Sequence, residues 1–355
     1  MNEFRNTNSE SFWQWVFRKK DNLDQIVFIF SSKLNAQNAR YFQLFEASEN
    51  IRIVYFKGLK IRYTDRFSLK VFSLLTQSFK KKIINYKTLH IFSIPSFESS
   101  QKQVLHIDDP LYSESELRNL MNWENKLVIK RGVPFLICTN SYTEDWFKDK
   151  LKYTKILIIE QGFQEIELNK KQINSNFSCV YTSPYIHLGN DKHGQHSTWG
   201  AEILIKEIIP RLNRIDPSIE IHLVGELGKY ASVELSKYQN IFTYGRVSFY
   251  KNAEILSNRT IGIYPRTFDH KRSILKIFSY IGAELPVVTF DLVDTEVIKD
   301  FKLGVTVNNT NDFIAAIVKL RDNPYILKKY RSNIIKFRPE YSWKNLSKKM
   351  NQLIN

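Results

Sequence analysis

The densest chemistry in this 355-residue chain lies between Arg266 and Ser279. Arg266, His270, Lys271 and Arg272 precede an apolar run of helical spacing, and Lys276 stands one turn inside it. Cations at a helix start oppose its dipole by about 0.3–1 kcal/mol each, so acids usually occupy such positions. Ser273 is expected as the N-cap, leaving the amides of Ile274 and Leu275 free to point outward. A helix start of this kind suits phosphate. A solvated basic loop is the plainer alternative.

Three further stations carry polar chemistry. The loop YIHLGNDKHGQHSTWG (185–200) follows an apolar strand, and its Lys192 and Gly194 suit an approach to phosphate. His187, His193, His196 and Asp191 in or beside it invite a metal reading. Their spacing matches no usual zinc pattern, so polar residues lining a ligand are expected and no metal. Gly225 and Glu226 end another strand, and Arg246 follows a third; these are candidates for a ligand edge, with a surface role for Arg246 equally open. In the first half His106, Asp108 and Asp109 end a strand. They could hydrogen-bond a substrate or act as general base, although strand-end acids also form turns.

Elements that position these residues alternate along the whole chain. Strands are expected at QIVFIF (25–30), IRIVYF (51–56), TLHIFSI (88–94), QVLHI (103–107), PFLICT (134–139) and KILIIE (155–160). The polar stretch 169–176 interrupts them. A second series follows at FSCVYTS (177–183), IEIHLVG (219–225), IFTYG (241–245), RTIGIYP (259–265), LPVVTF (285–290) and LGVTV (303–307). Alternating strands and helices predict an α/β protein with mainly parallel sheets and a domain boundary near residue 172. Two doubly wound domains bind ligands outside the carboxyl ends of their strands.

Composition narrows the function classes. Net charge is +16, and residues 55–87 alone hold nine cations against Asp65. That concentration predicts an anionic partner, such as a membrane surface, or else a solvated charged face. No helix-turn-helix, zinc-finger or aromatic RNA-binding signature accompanies it, so nucleic acid is not expected. Cys138 and Cys179 sit in apolar runs and read as buried thiols of a reducing compartment. Neither a signal peptide nor a membrane-spanning run is recognisable, which predicts a cytoplasmic protein.

From Phe177 to Trp343 the motifs follow one order: CVYTS with its long loop, IHLVGELG, NIFTYGRV, IGIYPR, SILKIFSYIGAELPVV and YSWKNLSKK. In this order they resemble the C-terminal domain of GT-B glycosyltransferases of the family 4 type. VLHIDDP, PFLICTNSYTEDWF and KILIIEQGF resemble parts of the N-terminal domain. The resemblance implies two Rossmann-like domains facing a cleft: 1–172 on the acceptor side, 173–335 for the nucleotide sugar, and a helix in 336–355 returning to the first.

The same resemblance implies a nucleotide-sugar donor, no tightly bound cofactor, a glycan or lipid-linked acceptor, and retaining transfer. Lys192 and Gly194 fall near the family's KG pair, while Ser183 and Pro184 stand where it has an arginine. Its two donor glutamates correspond to Lys271 and Ser279. A carboxylate engages both ribose hydroxyls at about 1.5–3 kcal/mol, against roughly 1 kcal/mol for a serine. Ser279 therefore also motivates a rival reading, a non-catalytic GT-B subunit supporting a partner enzyme.

Overall fold

The computed structural model describes residues 9–11, 14, 23, 25–29, 44–45, 51–55, 88–92, 102–106, 117–118, 121–122, 124–125, 135–163, 176–189, 191, 200–267 and 274–354. Each apolar run expected as a strand forms one. In the first half these are β2 (Gln25–Ile29), β3 (Ile51–Tyr55), β4 (Thr88–Phe92), β5 (Lys102–His106), β6 (Phe135–Cys138) and β7 (Lys155–Ile158). A short polar strand, β1 (Ser9–Ser11), adds to β3 at the edge. The order is β1-β3-β2-β4-β5-β6-β7, and every pairing is parallel.

The second half builds another parallel sheet from β8 (Ser178–Ile186), β9 (Glu220–Leu227), β10 (Ile241–Thr243), β11 (Ile261–Tyr264), β12 (Val287–Phe290) and β13 (Gly304–Val307). Its order is β10-β9-β8-β11-β12-β13. The chain winds outward from β8 in one direction, then returns to wind the other way from β11. That reversal is the switch point at which open α/β sheets bind ligands.

Period-two alternation divides the apolar residues between the faces of this second sheet. Cys179, Tyr181, Ile261 and Ile263 pack on one side with Leu204, Ile208, Phe313 and Ile317. Val180, Tyr264 and Val287 pack on the other with Ile277, Ile281, Ile298 and Ile334. Helix α1 (Ser141–Lys148) belongs to the first half, where Asn140 caps it by accepting from the Thr143 amide at 2.8 Å. The second half carries α2 (201–215), α3 (Lys229–Leu235), α4 (Phe249–Ser257), α5 (Leu275–Gly282), α6 (Glu296–Asp300), α7 (Thr310–Asp322) and α8 (Pro324–Phe337). Within α2, Leu204–Ile208 is a π segment just before Pro210, which has no N–H to continue the regular ladder.

By its contacts the chain forms two compact units, Met1–Glu160 with Trp343–Asn355, and Gln161–Ser342. Helix α9 (Trp343–Ile354) buries Trp343, Leu346 and Met350 in the first unit, a spacing that puts them on one face. Lys349 bonds Glu160 at 3.0 Å, and Gln25 donates to Asn351 at 3.4 Å. In the second unit the Phe163 amide donates to the Tyr341 carbonyl at 3.2 Å, so that unit's first and last residues lie side by side.

One expected element boundary is corrected. Helix α5 begins at Leu275 with Ile274, not Ser273, in the N-cap position, and no side-chain cap bond is made from there. Ile274 is buried in the core with Ile277 and Phe278, so hydrophobic anchoring fixes the start.

Candidate functional site

At the switch point β8 and β11 pair only through Cys179–Ile261 and Val180–Gly262. Beyond that register Tyr280 of α5 takes over. Its hydroxyl accepts from the Thr182 amide at 3.0 Å and donates to the Ile263 carbonyl at 3.2 Å. Gly262 makes room, since a Cβ there would lie 2.6 Å from the tyrosine ring. Burial pushes the Tyr280 phenol far above its usual range, so it stays a neutral bridge. The strand ends therefore part around a side chain.

Lys276 reaches over this parting. Its Nζ donates to Ser183 Oγ at 3.3 Å and stands 5.5 Å from the ring centre of Tyr181 and 5.6 Å from that of Tyr264. Two aromatic faces and a hydroxyl hold one ammonium at the carboxyl ends of β8 and β11. Arg266 is turned inward instead. It donates to the Tyr264 hydroxyl at 3.1 Å and pairs with buried Asp294 at 3.4 Å. Ser279 shares the half-buried face of α5 with Leu275 and Lys276, and its Oγ donates to the Leu275 carbonyl at 3.0 Å. Its lone pairs still accept, but its proton is engaged.

A bulge shapes the neighbouring strand ends. The β8–β9 register shifts between Thr182 and Tyr185, around Pro184. Gly225 has a φ of 152°, and a Cβ there would fall 1.8 Å from the Ser183 carbonyl oxygen. This glycine serves close approach of two backbones. Beside it Arg246 pairs with Glu226 at 3.0 Å, lies 4.3 Å from the Tyr185 ring centre, and donates to the Pro184 carbonyl at 3.5 Å. Lys276 and Arg246 thus address adjacent residues of the bulge.

Asp191 has a structural task. Its carboxylate accepts from the amides of Leu188 at 2.8 Å and Tyr230 at 3.0 Å, the latter in the first turn of α3. Burial pushes this carboxyl up, but the amides of Leu188, Tyr230 and Ala231 outweigh it and hold Asp191 below the usual carboxylate range. Gly228 allows the contact, because a Cβ would lie 2.1 Å from the carboxylate. His187 is buried with its ring 5.4 Å from that of Tyr185. Among the described residues no group of three potential metal ligands occurs.

No family model matches the sequence, and no curated protein matches it. Solved structures do. Anabaena HepE, crystallised with UDP and glucose, aligns with a TM-score of 0.65 at 13% identity over 93% of this chain and 99% of its own. WaaG, a glycosyltransferase of lipopolysaccharide biosynthesis, aligns at 0.63 and 10% identity over 93% and 99%. Sucrose-phosphate synthase of Thermosynechococcus elongatus aligns at 0.64 and 14% identity over 93% and 98%. This chain has the GT-B glycosyltransferase fold.

Within the second Rossmann-like unit of this GT-B chain, Lys276, Ser279, Leu275 and Ile274 come together on or before one helix, and Glu226, Gly225 and Arg246 beside the bulge. In the first unit His106 ends β5 at 2% exposure, its ring edge-on to Phe45 at 5.4 Å, the placement of a packed histidine. Asp108, Asp109, Lys192, Gly194, Lys271, Arg272, Ser273 and the basic segment 56–87 lie outside the described residues. Tyr181, Tyr264, Tyr280 and Asp294 were not singled out by sequence, and Ser183 was noted only as standing where the resembled family has an arginine. For Ser183 the signal was available, because it ends the first strand of the second series. No helix among the described residues is long and apolar enough to cross a membrane.

Proposed function

We propose that this GT-B protein is a glycosyltransferase that moves a sugar from a nucleotide-sugar donor to a glycan or lipid-linked acceptor, with retention, in surface polysaccharide or glycoconjugate synthesis. The observation that carries this reading is the cation at the switch point: Lys276 Nζ, 3.3 Å from Ser183 Oγ, beside an uncapped helix start. A diphosphate suits that combination of a positive charge and a helix N-terminus. HepE, which shares the fold, was crystallised with UDP and with UDP-glucose.

In the proposed reaction Lys276 stabilises the departing diphosphate, with Lys192, Arg272 and the first amides of α5. Holding donor and acceptor together supplies much of the acceleration. Ser279 accepts one hydrogen bond from the ribose through its free lone pairs. On the acceptor side the reading assigns Asp108 and Asp109, which follow His106 at the carboxyl end of β5, to the attacking hydroxyl. The basic segment 55–87 is assigned to an anionic membrane surface or acceptor; there each Lys or Arg contributes about 1 kcal/mol.

A thermal-shift screen against UDP, GDP, ADP, CMP and their sugars tests the reading. Stabilisation by one diphosphate family, followed by NMR detection of a retained anomer in the product, supports it. The non-catalytic alternative draws on Ser279, whose proton is spent on Leu275. It predicts no response to any nucleotide, an outcome that would remove the enzyme reading.

A further inference from the structure

Arg266 is among the largest side chains sealed inside the protein, at 2% exposure. A guanidinium carries five N–H donors. Here Nη1 serves the Tyr264 hydroxyl at 3.1 Å and Asp294 Oδ2 at 3.4 Å. Nε and Nη2 are buried and meet no acceptor among the described residues. Guanidinium and carboxylate commonly join through two short parallel bonds, so this single long contact leaves the arginine under-satisfied. Buried donors in that state are costly.

The surroundings add to the imbalance. Tyr264, whose hydroxyl Arg266 holds, has the Lys276 ammonium over its ring at 5.6 Å. The uncapped amides of α5 start beside that lysine. A carboxylate offers one negative charge to this group. The diphosphate of a nucleotide or nucleotide sugar offers at least two, with several non-bridging oxygens to meet the unfilled donors. Asp294 sits in a short turn, Val293–Thr295, with its own side chain fully buried and Val293 beside it exposed, so an exchange of partners requires this surface turn to move aside.

We infer that Asp294 holds on Arg266 the place of a ligand's phosphoryl group, and that Arg266 exchanges this carboxylate for the diphosphate of a bound nucleotide. The inference rests on the nucleotide-sugar reading and adds an internal competitor to it. Asp294 then sets donor affinity from outside the contact surface, by keeping the arginine occupied until an anion of higher charge arrives.

Calorimetric titration of the full chain with inorganic pyrophosphate and with UDP tests the exchange. Asp294→Asn is expected to bind pyrophosphate about tenfold tighter than wild type, because the competitor is gone. Asp294→Asn leaves a buried arginine with less charge compensation, and a failure to fold would hide the effect. The double variant Arg266→Met, Asp294→Leu then decides, since apolar replacement of a buried ion pair is commonly tolerated. It is expected to melt near wild type yet bind both probes about tenfold more weakly.

A double variant that binds UDP as wild type does would make the pair a structural brace and overturn the exchange, while leaving the nucleotide reading intact. Absence of binding by wild type and both variants would overturn both. Pyrophosphate binding by Asp294→Asn alone would mean that Asp294 closes Arg266 to anions in the wild type, and would overturn the exchange.

Discussion

Two helix starts in the second unit face the same electrostatic problem and meet it differently. At α3 the protein supplies its own anion: Asp191 accepts from the amides of Leu188 and Tyr230. At α5 no such anion stands among the described residues. Ile274 cannot cap, no acid stands in the first turn, and Lys276 adds positive charge. Both helices follow strands of one sheet, so topology alone does not separate them. A start neutralised by the protein is structural, whereas one that carries a cation beside the strand reversal suits an anionic ligand.

The largest expected effect breaks the first half of that comparison. Asp191→Ala strips an anion from two or three amides and should cost about 2–4 kcal/mol of stability, read by urea unfolding. Since the folded carboxyl lies below its ordinary value, its contribution is complete above about pH 4 and lost as pH falls through the folded pKa. The stability gap between wild type and variant should therefore close in acid. A gap that persists unchanged at pH 2–3 would mean that the charge is not what matters.

Lys276→Ala should do the reverse at α5. Nucleotide affinity falls by about 1.5–3 kcal/mol, or roughly ten- to hundredfold, while melting changes little. Binding equal to wild type would put the site elsewhere and dissolve the contrast between the helices. A smaller effect is expected at Ser279. Ser279→Ala removes a bond to the preceding turn but improves helix propensity, so melting holds or rises slightly, while nucleotide binding weakens by about 0.5–1.5 kcal/mol. Loss of stability without loss of binding would make this serine purely structural.

The smallest effect lies at the far end of α5. Glu284 occupies a left-handed position at φ 60°, where glycine is usual. The amide bonds Glu284 to Ile281 and Leu285 to Tyr280 complete the helix stop, and the Glu284 carboxylate pairs with Arg338. Glu284→Gly relieves about 1 kcal/mol of backbone strain and loses a partly buried ion pair of similar size. Chemical unfolding should register a net change within about 0.5 kcal/mol.

The fold was legible because strand cores are local apolar runs, as in IHLVG and LPVVTF, with punctuation between them. β1 was missed because SES carries no apolar alternation and exists only by pairing with β3. Lys276 was legible as a cation inside a helix start. Its partner Ser183 lies 93 residues away in sequence, and no local pattern reports that contact. Long-range placement also gave Asp191 its capping role and turned Arg266 toward Asp294 rather than outward. The N-cap position of α5 fell at Ile274 for a different reason: burial of this residue with Ile277 and Phe278 anchors the helix start.

Helix α9 places an unusual demand on biosynthesis. The ribosome must translate all of Gln161–Ser342 before Trp343, Leu346 and Met350 can be buried in the first unit. The second unit is continuous in sequence and is complete on the nascent chain first, inverting the usual amino-to-carboxyl order of domain folding. Until translation passes Met350, the earlier-made half lacks part of its interior and exposes apolar surface. A ribosome stall between Trp343 and Met350 would therefore release a protein with one finished half and one aggregation-prone half.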